Sequence, residues 1–235
     1  MVVQSATRND HGLEWMIKGR SGNPAIAATA FARHRDGRLN RGIPMTNRSL
    51  PMIEDRNVAG AVVTQRWMLP TTTAWLSGFL EDVFTRYWDR LIYGPILDGI
   101  AYEWTCPAAP DRIALSEGYL TIGFNGPHFH LCVGPGALPD TPDGQRRMPA
   151  AASLFRSLDP AGAPNSWGFE LRDGSGGAMM SIYFDNPFLD GPDRIADDPD
   201  WGRLDMWRDI AARYAGLAED PFDTTSRGFQ WADAA

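Results

Sequence analysis

Cysteine, lysine and long apolar runs are scarce in this chain, and each scarcity removes a class of protein. Cys106 and Cys132 are the only cysteines among 235 residues. Two thiols cannot staple a domain of that length, so a disulfide-framed secreted fold is not expected. The N-terminus has no apolar core of a secretory signal, and the expected compartment is the reducing cytoplasm. No run approaches the roughly 18 apolar residues that a membrane span needs, so no membrane partner is expected either. Lysine occurs once, at Lys18, and the other cations are all arginines, a bias of composition that implies no particular chemistry.

What is present suits a buried interior. The chain is 43% hydrophobic and carries nine tryptophans, enough for one sizeable core. Charge is unevenly placed: residues 1–50 hold eight Arg or Lys against Asp10, Glu14 and Asp36, a balance of +5, so residues 51–235 carry −12 of the net −7. An acidic body disfavours nucleic acid, because phosphate neutralisation needs clustered cations. A small molecule is the expected partner.

Residues 1–65 show no sustained period and mix Gly, Asn, Pro and Arg, the composition of a basic arm, disordered or loosely docked. A basic tail, an Arg-rich targeting peptide and translated sequence upstream of the natural start all fit it, and Ala25 to Phe31 has the spacing of a turn or two of helix. Residues 66–235 read as a single α+β domain. Leu76, Leu80, Val83, Tyr87 and Leu91 recur every three or four residues behind a Thr71–Thr73 cap, which predicts a helix ended by Gly94-Pro95.

After Cys106-Pro107 the period becomes two, predicting a meander of Arg112–Ser116, Tyr119–Phe124 and His128–Val133. Pro149 to Leu158 reads as a short helix. Trp167–Arg172 and Met179–Phe184 flank the glycine loop Asp173-Gly174-Ser175-Gly176-Gly177 as a hairpin. Leu204, Trp207, Ile210, Tyr214 and Leu217 mark a last amphipathic helix. The expected architecture is a largely antiparallel sheet of about five strands with helices packed on one face.

The segment with visible chemistry is the strand from Pro127 to Gly134. Alternation puts His128, His130 and Cys132 on one face and Phe129, Leu131 and Val133 on the other. If Asn125-Gly126 makes a two-residue turn, Gly123 faces His128, Thr121 faces His130 and Tyr119 faces Cys132, while Ile122 meets Phe129 and Leu120 meets Leu131 on the core side. Pro127 lacks the N–H that would close such a turn, so a longer loop competes.

Two imidazoles two residues apart can reach one Zn²⁺ or Fe²⁺, with Cys132, Cys106 or Glu103 as a third ligand and an open position for water or substrate. The expected function is thus a metal-dependent enzyme, a hydrolase or oxygenase acting on a small organic substrate, with metal ligands His128, His130 and Cys132. Glu117 and Tyr119 are its candidate proton-transfer residues; Glu170, on the polar face of its strand, is of the same chemical type but reads as solvent-exposed. The alternative is a metal-free module that holds a small ligand or a protein on the same sheet face.

The run His128-Phe129-His130-Leu131-Cys132-Val133 resembles the His-x-His-x-His-x-x strand of the histidine-triad nucleotide hydrolases and transferases. That resemblance implies that His130 attacks a phosphate with His128 as a supporting donor; Cys132 stands where the third histidine belongs. From about Trp67 onward, above all in Pro127 to Gly134 and in Ser166-Trp167-Gly168-Phe169, the chain also resembles a family of uncharacterised bacterial proteins of unknown function.

Overall fold

The computed structural model describes residues 49–97, 100–191 and 194–229. In chain order these form β1 (Met52–Arg56), β2 (Val62–Leu69), α1 (Thr73–Arg86), β3 (Ile92–Gly94), β4 (Ile96–Leu97), β5 (Ile100–Ala101) and β6 (Trp104–Thr105). Then come β7 (Arg112–Ser116), β8 (Tyr119–Gly123), β9 (His128–Cys132), α2 (Pro142–Arg146), β10 (Pro149–Leu158), β11 (Pro164–Asp173), β12 (Ala178–Tyr183) and α3 (Asp205–Ala215). Every named strand pairing is antiparallel.

The class is α+β, as the sequence indicates, but the main sheet has seven strands rather than about five, in the order β1-β2-β10-β11-β12-β3-β6. A separate three-stranded sheet, β7-β8-β9, holds the meander. Helices α1 and α3 cover one face of the main sheet: Phe79 packs on Phe169 with ring centroids 4.7 Å apart, and Trp67 on Trp207 at 5.7 Å. On its other side α1 meets the small sheet, where Phe84 touches Phe124 and Phe129. One helix thus seals two sheets, which is why its apolar stripe is so wide.

Two expectations are corrected. Residues 149–158 form a ten-residue strand, not a helix, and pair on both sides with β2 and β11. Ala152, Leu154 and Arg156 face the core while Ser153 and Phe155 face away, so apolar residues occur on both faces and blur the period of two. Non-local pairing overrides the helical propensity of the alanines. Of the expected arm, residues 52–56 and 62–65 belong to β1 and β2, and the main sheet begins there; residues 1–48, with the helix considered at 25–31, lie outside the described residues.

The core side of the main sheet carries one polar knot. The buried Asp223 accepts hydrogen bonds from Arg156 at 2.9 Å and from the indoles of Trp167 and Trp207, both at 2.9 Å. Arg156 also reaches Gln65 and Asp220 and lies 4.6 Å from the Phe222 ring centroid. The knot pins the chain after α3 to the sheet; its tryptophans are core residues rather than a pocket lining.

Candidate functional site: the open face of the main sheet

The face of the main sheet turned away from α1 and α3 is built from two neighbouring cross-strand rows. Arg66, Phe155, Gly168 and Tyr183 are paired across β2, β10, β11 and β12, and Ser153, Glu170 and Ser181 are paired in the next row. Residues two apart on a strand share a face, so both rows point the same way. From these rows Arg66, Phe155, Tyr183, Glu170 and Ser181, with Arg172, Ile96 and the glycine loop, line a cleft of about 720 Å³, within the range that small-molecule sites occupy.

The floor is aromatic because Gly168 permits it. A Cβ at Gly168 would stand 2.7 Å from the Phe155 ring and 2.3 Å from the Ile182 carbonyl. The Phe155 ring therefore fits over the glycine, with Tyr183 edge-on at 5.8 Å and the Arg66 guanidinium 5.8 Å from its centroid. Burial pushes the Tyr183 phenol up, and the charges of Glu103 and Glu170 push the same way, so it stays protonated as a donor at neutral pH.

Charges are clamped above that floor. Glu170 accepts from Arg66 Nη1 at 2.6 Å and from Arg172 Nε and Nη2, both at 2.8 Å. Arg66 also donates to Asp55 at 2.5 Å and to Ser153 Oγ at 3.2 Å. The side chains of Arg66 and Glu170 are only 16% and 12% exposed, while Arg172 is 41% exposed and keeps solvent-facing capacity. At the rim, Asp173 Oδ1 accepts from Ser175 N at 2.9 Å and Gly177 N at 2.8 Å, and Arg172 Nη1 donates to Gly176 O at 2.9 Å. The glycine loop is thus a fixed hairpin turn, as its composition indicates.

The histidine strand lies elsewhere, on the outer face of the small sheet. Its register is the expected one at all five positions, from Tyr119 opposite Cys132 to Gly123 opposite His128. Phe124 N donates to Pro127 O at 2.8 Å, and Asn125 and Gly126 take φ of 56° and 136°; the turn closes through the carbonyl of Pro127, so its missing N–H is not needed. Leu120, Ile122, Leu131 and Val133 are buried, whereas His128 and His130 are exposed.

The two imidazoles stand 5.1 Å apart, centroid to centroid, with planes at 78°. His130 Nδ1 is 2.7 Å from Thr121 Oγ1, and His128 Nδ1 donates to Gly126 O at 2.9 Å. Cys132 is buried, its sulfur 3.7 Å from Met148 Sδ, and burial raises its thiol above the ordinary value. Cys106 is likewise buried and pushed up to about 12. Glu117 is exposed in a turn at φ 49°, Tyr119 is half-buried, and neither lines the cleft on the main sheet. Among the described residues no group of three or more His, Cys, Asp or Glu is placed to hold a metal ion.

Sequence reasoning missed the cleft. Arg66 is the first residue of the expected domain and falls in no expected element, Phe155 lies in the expected helix, and Glu170 reads as an exposed strand residue. Of the aspartates after Tyr183, Asp185 binds Arg90 and Arg203, a structural bridge between the end of α1 and the start of α3.

Among the described residues no helix is long and apolar enough to cross a membrane. No curated protein matches the chain. Among solved structures, the crystal structure of ChuX aligns at a TM-score of 0.38 and 12% identity, covering 66% of this chain and 79% of that one, too loose a likeness to bear on function. The histidine-triad likeness rests on the one strand. A family of unknown function, DUF7676, matches residues 53–216, from β1 to the end of α3, and the chain belongs to that family.

Proposed function

We propose that this protein binds a small organic acid in the cleft on the open face of its main sheet. The observation that carries the reading is the Arg66–Glu170–Arg172 network held over the Phe155–Tyr183 floor. Partly desolvated charges cost stability unless they are fully paired, and such groups concentrate where ligands bind. The ligand's acidic group meets the outward side of Arg172, and its apolar body lies against Tyr183 and Ile96. This reading takes up the metal-free binding module of the sequence analysis and moves it to a different sheet.

Thermal unfolding with benzoate, phthalate and succinate, on wild type and Arg172→Gln, tests it. A ligand at 100 times its Kd adds about 2.7 kcal/mol, or roughly 5 to 11 °C for a domain of this size. At least one acid is expected to stabilise wild type in a concentration-dependent way and to leave Arg172→Gln unchanged. Equal stabilisation of both proteins, or none with any acid, contradicts the proposal.

A further inference from the structure

The outer face of the small sheet carries a second feature, independent of the cleft. His128 and His130 are exposed neighbours on β9, and the protein engages one nitrogen of each. Gly126 O takes the Nδ1–H of His128, which fixes that tautomer and leaves a lone pair on Nε2. Thr121, buried and directly opposite His130, holds Nδ1 of the second ring at 2.7 Å. Among the described residues neither Nε2 has a hydrogen-bond partner. An outer hydrogen bond on one nitrogen with the other left open is how protein-bound imidazoles are oriented toward metal ions.

The spacing fits an ion. A metal bound at about 2.0–2.1 Å from Nε2 lies roughly 3.2 Å from the ring centroid, so two imidazoles meeting it at 90–109° need centroids about 4.5–5.2 Å apart. The observed separation is 5.1 Å. The 78° between planes is no obstacle, since binding one ion through two imidazole nitrogens sets no particular angle between the ring planes. The residue facing His128 is Gly123, which presents no side chain to the imidazole, and Arg112 packs beside it, its Cβ 3.6 Å from where a Gly123 Cβ would stand. Asp111 Oδ1 lies 3.3 Å from the same point, and the His128 Cβ lies 3.8 Å from it.

We propose that His128 and His130 form a two-imidazole chelate for a divalent transition-metal ion on the outer face of the small sheet, its remaining positions filled by water or by a donor from a bound partner. Cys132 takes no part, being buried against Met148. Asp111 Oδ1 accepts from Asn125 N at 2.9 Å, which holds the carboxylate beside the turn that leads into the histidine strand. Nitrogen donors select ions of the Zn²⁺ and Cu²⁺ kind over Mg²⁺ and Ca²⁺, and Cu²⁺ tops the affinity order, which makes it the most sensitive probe.

The test is titration of tag-free full-length protein with Cu²⁺ alone, followed by calorimetry and by electron paramagnetic resonance. One equivalent is expected to bind with nitrogen hyperfine structure from two imidazoles. Loss of an outer-shell partner costs ~10–100-fold in metal affinity, so Thr121→Val should weaken Cu²⁺ by about tenfold and His128→Gln or His130→Gln, each removing a ligand, by about 100-fold or more. Both rings are exposed, so the variants should keep the wild-type near-ultraviolet circular dichroism. His11→Gln/His34→Gln controls for the chain's other two histidines and should bind like wild type. Absence of saturable binding to wild type, or binding that survives in His128→Gln and His130→Gln, overturns the proposal.

Discussion

Replacing Glu170 by glutamine removes one charge from the centre of the cleft and little volume. In the wild type that carboxylate accepts three charge-assisted hydrogen bonds. The bond from Arg66 joins side chains that are 16% and 12% exposed and is worth about 1.5 kcal/mol, the lower end for a bond to a charged group. Arg66 keeps Asp55 and Ser153, which limits the loss. The pair with the more exposed Arg172 is screened by solvent and adds about 0.5 kcal/mol. The sum, about 2 kcal/mol, lowers the melting temperature by roughly 4–8 °C for a domain of this size. Scanning calorimetry of wild type and Glu170→Gln reads this directly, with far-ultraviolet circular dichroism as the check that the sheet is intact. The variant also removes the negative charge that offsets Arg66 and Arg172, so it should bind small anions more tightly than wild type. A melting temperature within about 1 °C of wild type would refute the reasoning, since the network would then be no better than solvated side chains.

Asp223→Ala strands two buried indole N–H groups and leaves Arg156 with Gln65 and the half-exposed Asp220, and should cost about 2–4 kcal/mol by urea denaturation; a loss under 1 kcal/mol would contradict the buried knot. Acid should act through the α1–α3 contact. Burial raises the carboxyls of Asp82 and Asp209, but hydrogen bonds outweigh it, from Arg213, Arg86 and Tyr214 on Asp82 and from Arg213 and Tyr87 on Asp209, and hold both below the usual value. Groups depressed in the folded state stabilise it fully above their unfolded pKa of about 3.9 and lose that contribution as pH falls through the folded value. Arg213→Gln should therefore be less stable than wild type at pH 6, with the gap closing below about pH 4; a gap independent of pH would count against these contacts.

How far the sequence could be read depended on where each segment finds its partners. The β7–β9 meander was legible to the residue, because Asn125-Gly126 and Glu117-Gly118 fix the turns locally and one buried face fixes the register. The last helix was legible for the same reason: its apolar stripe faces a single surface. Strand β10 was not, since Leu154 and Phe155 are buried on opposite faces and its pairing partners lie about 85 residues earlier, at Met68 opposite Ser153, as well as in β11. Strand β2 hid its period behind Gln65, buried only because Arg156 binds it, and Arg66, which faces the cleft. The histidines drew attention because their motif is contiguous. The cleft gathers Arg66, Phe155, Glu170 and Tyr183 from four strands, and nothing local ties any one of them to the others.

The central claim is that a small organic acid occupies the open face of the main sheet, and amide chemical-shift mapping tests it most directly. Titrating ¹⁵N-labelled protein with phthalate should shift the amides of Glu170, Arg172, Ser175, Gly176, Gly177 and Ser181 together along one saturable curve, with His128 and His130 unmoved. The same titration of Arg66→Gln/Arg172→Gln should leave those amides in place. Saturable shifts confined to the small sheet, or cleft shifts that persist in the double variant, would contradict the account.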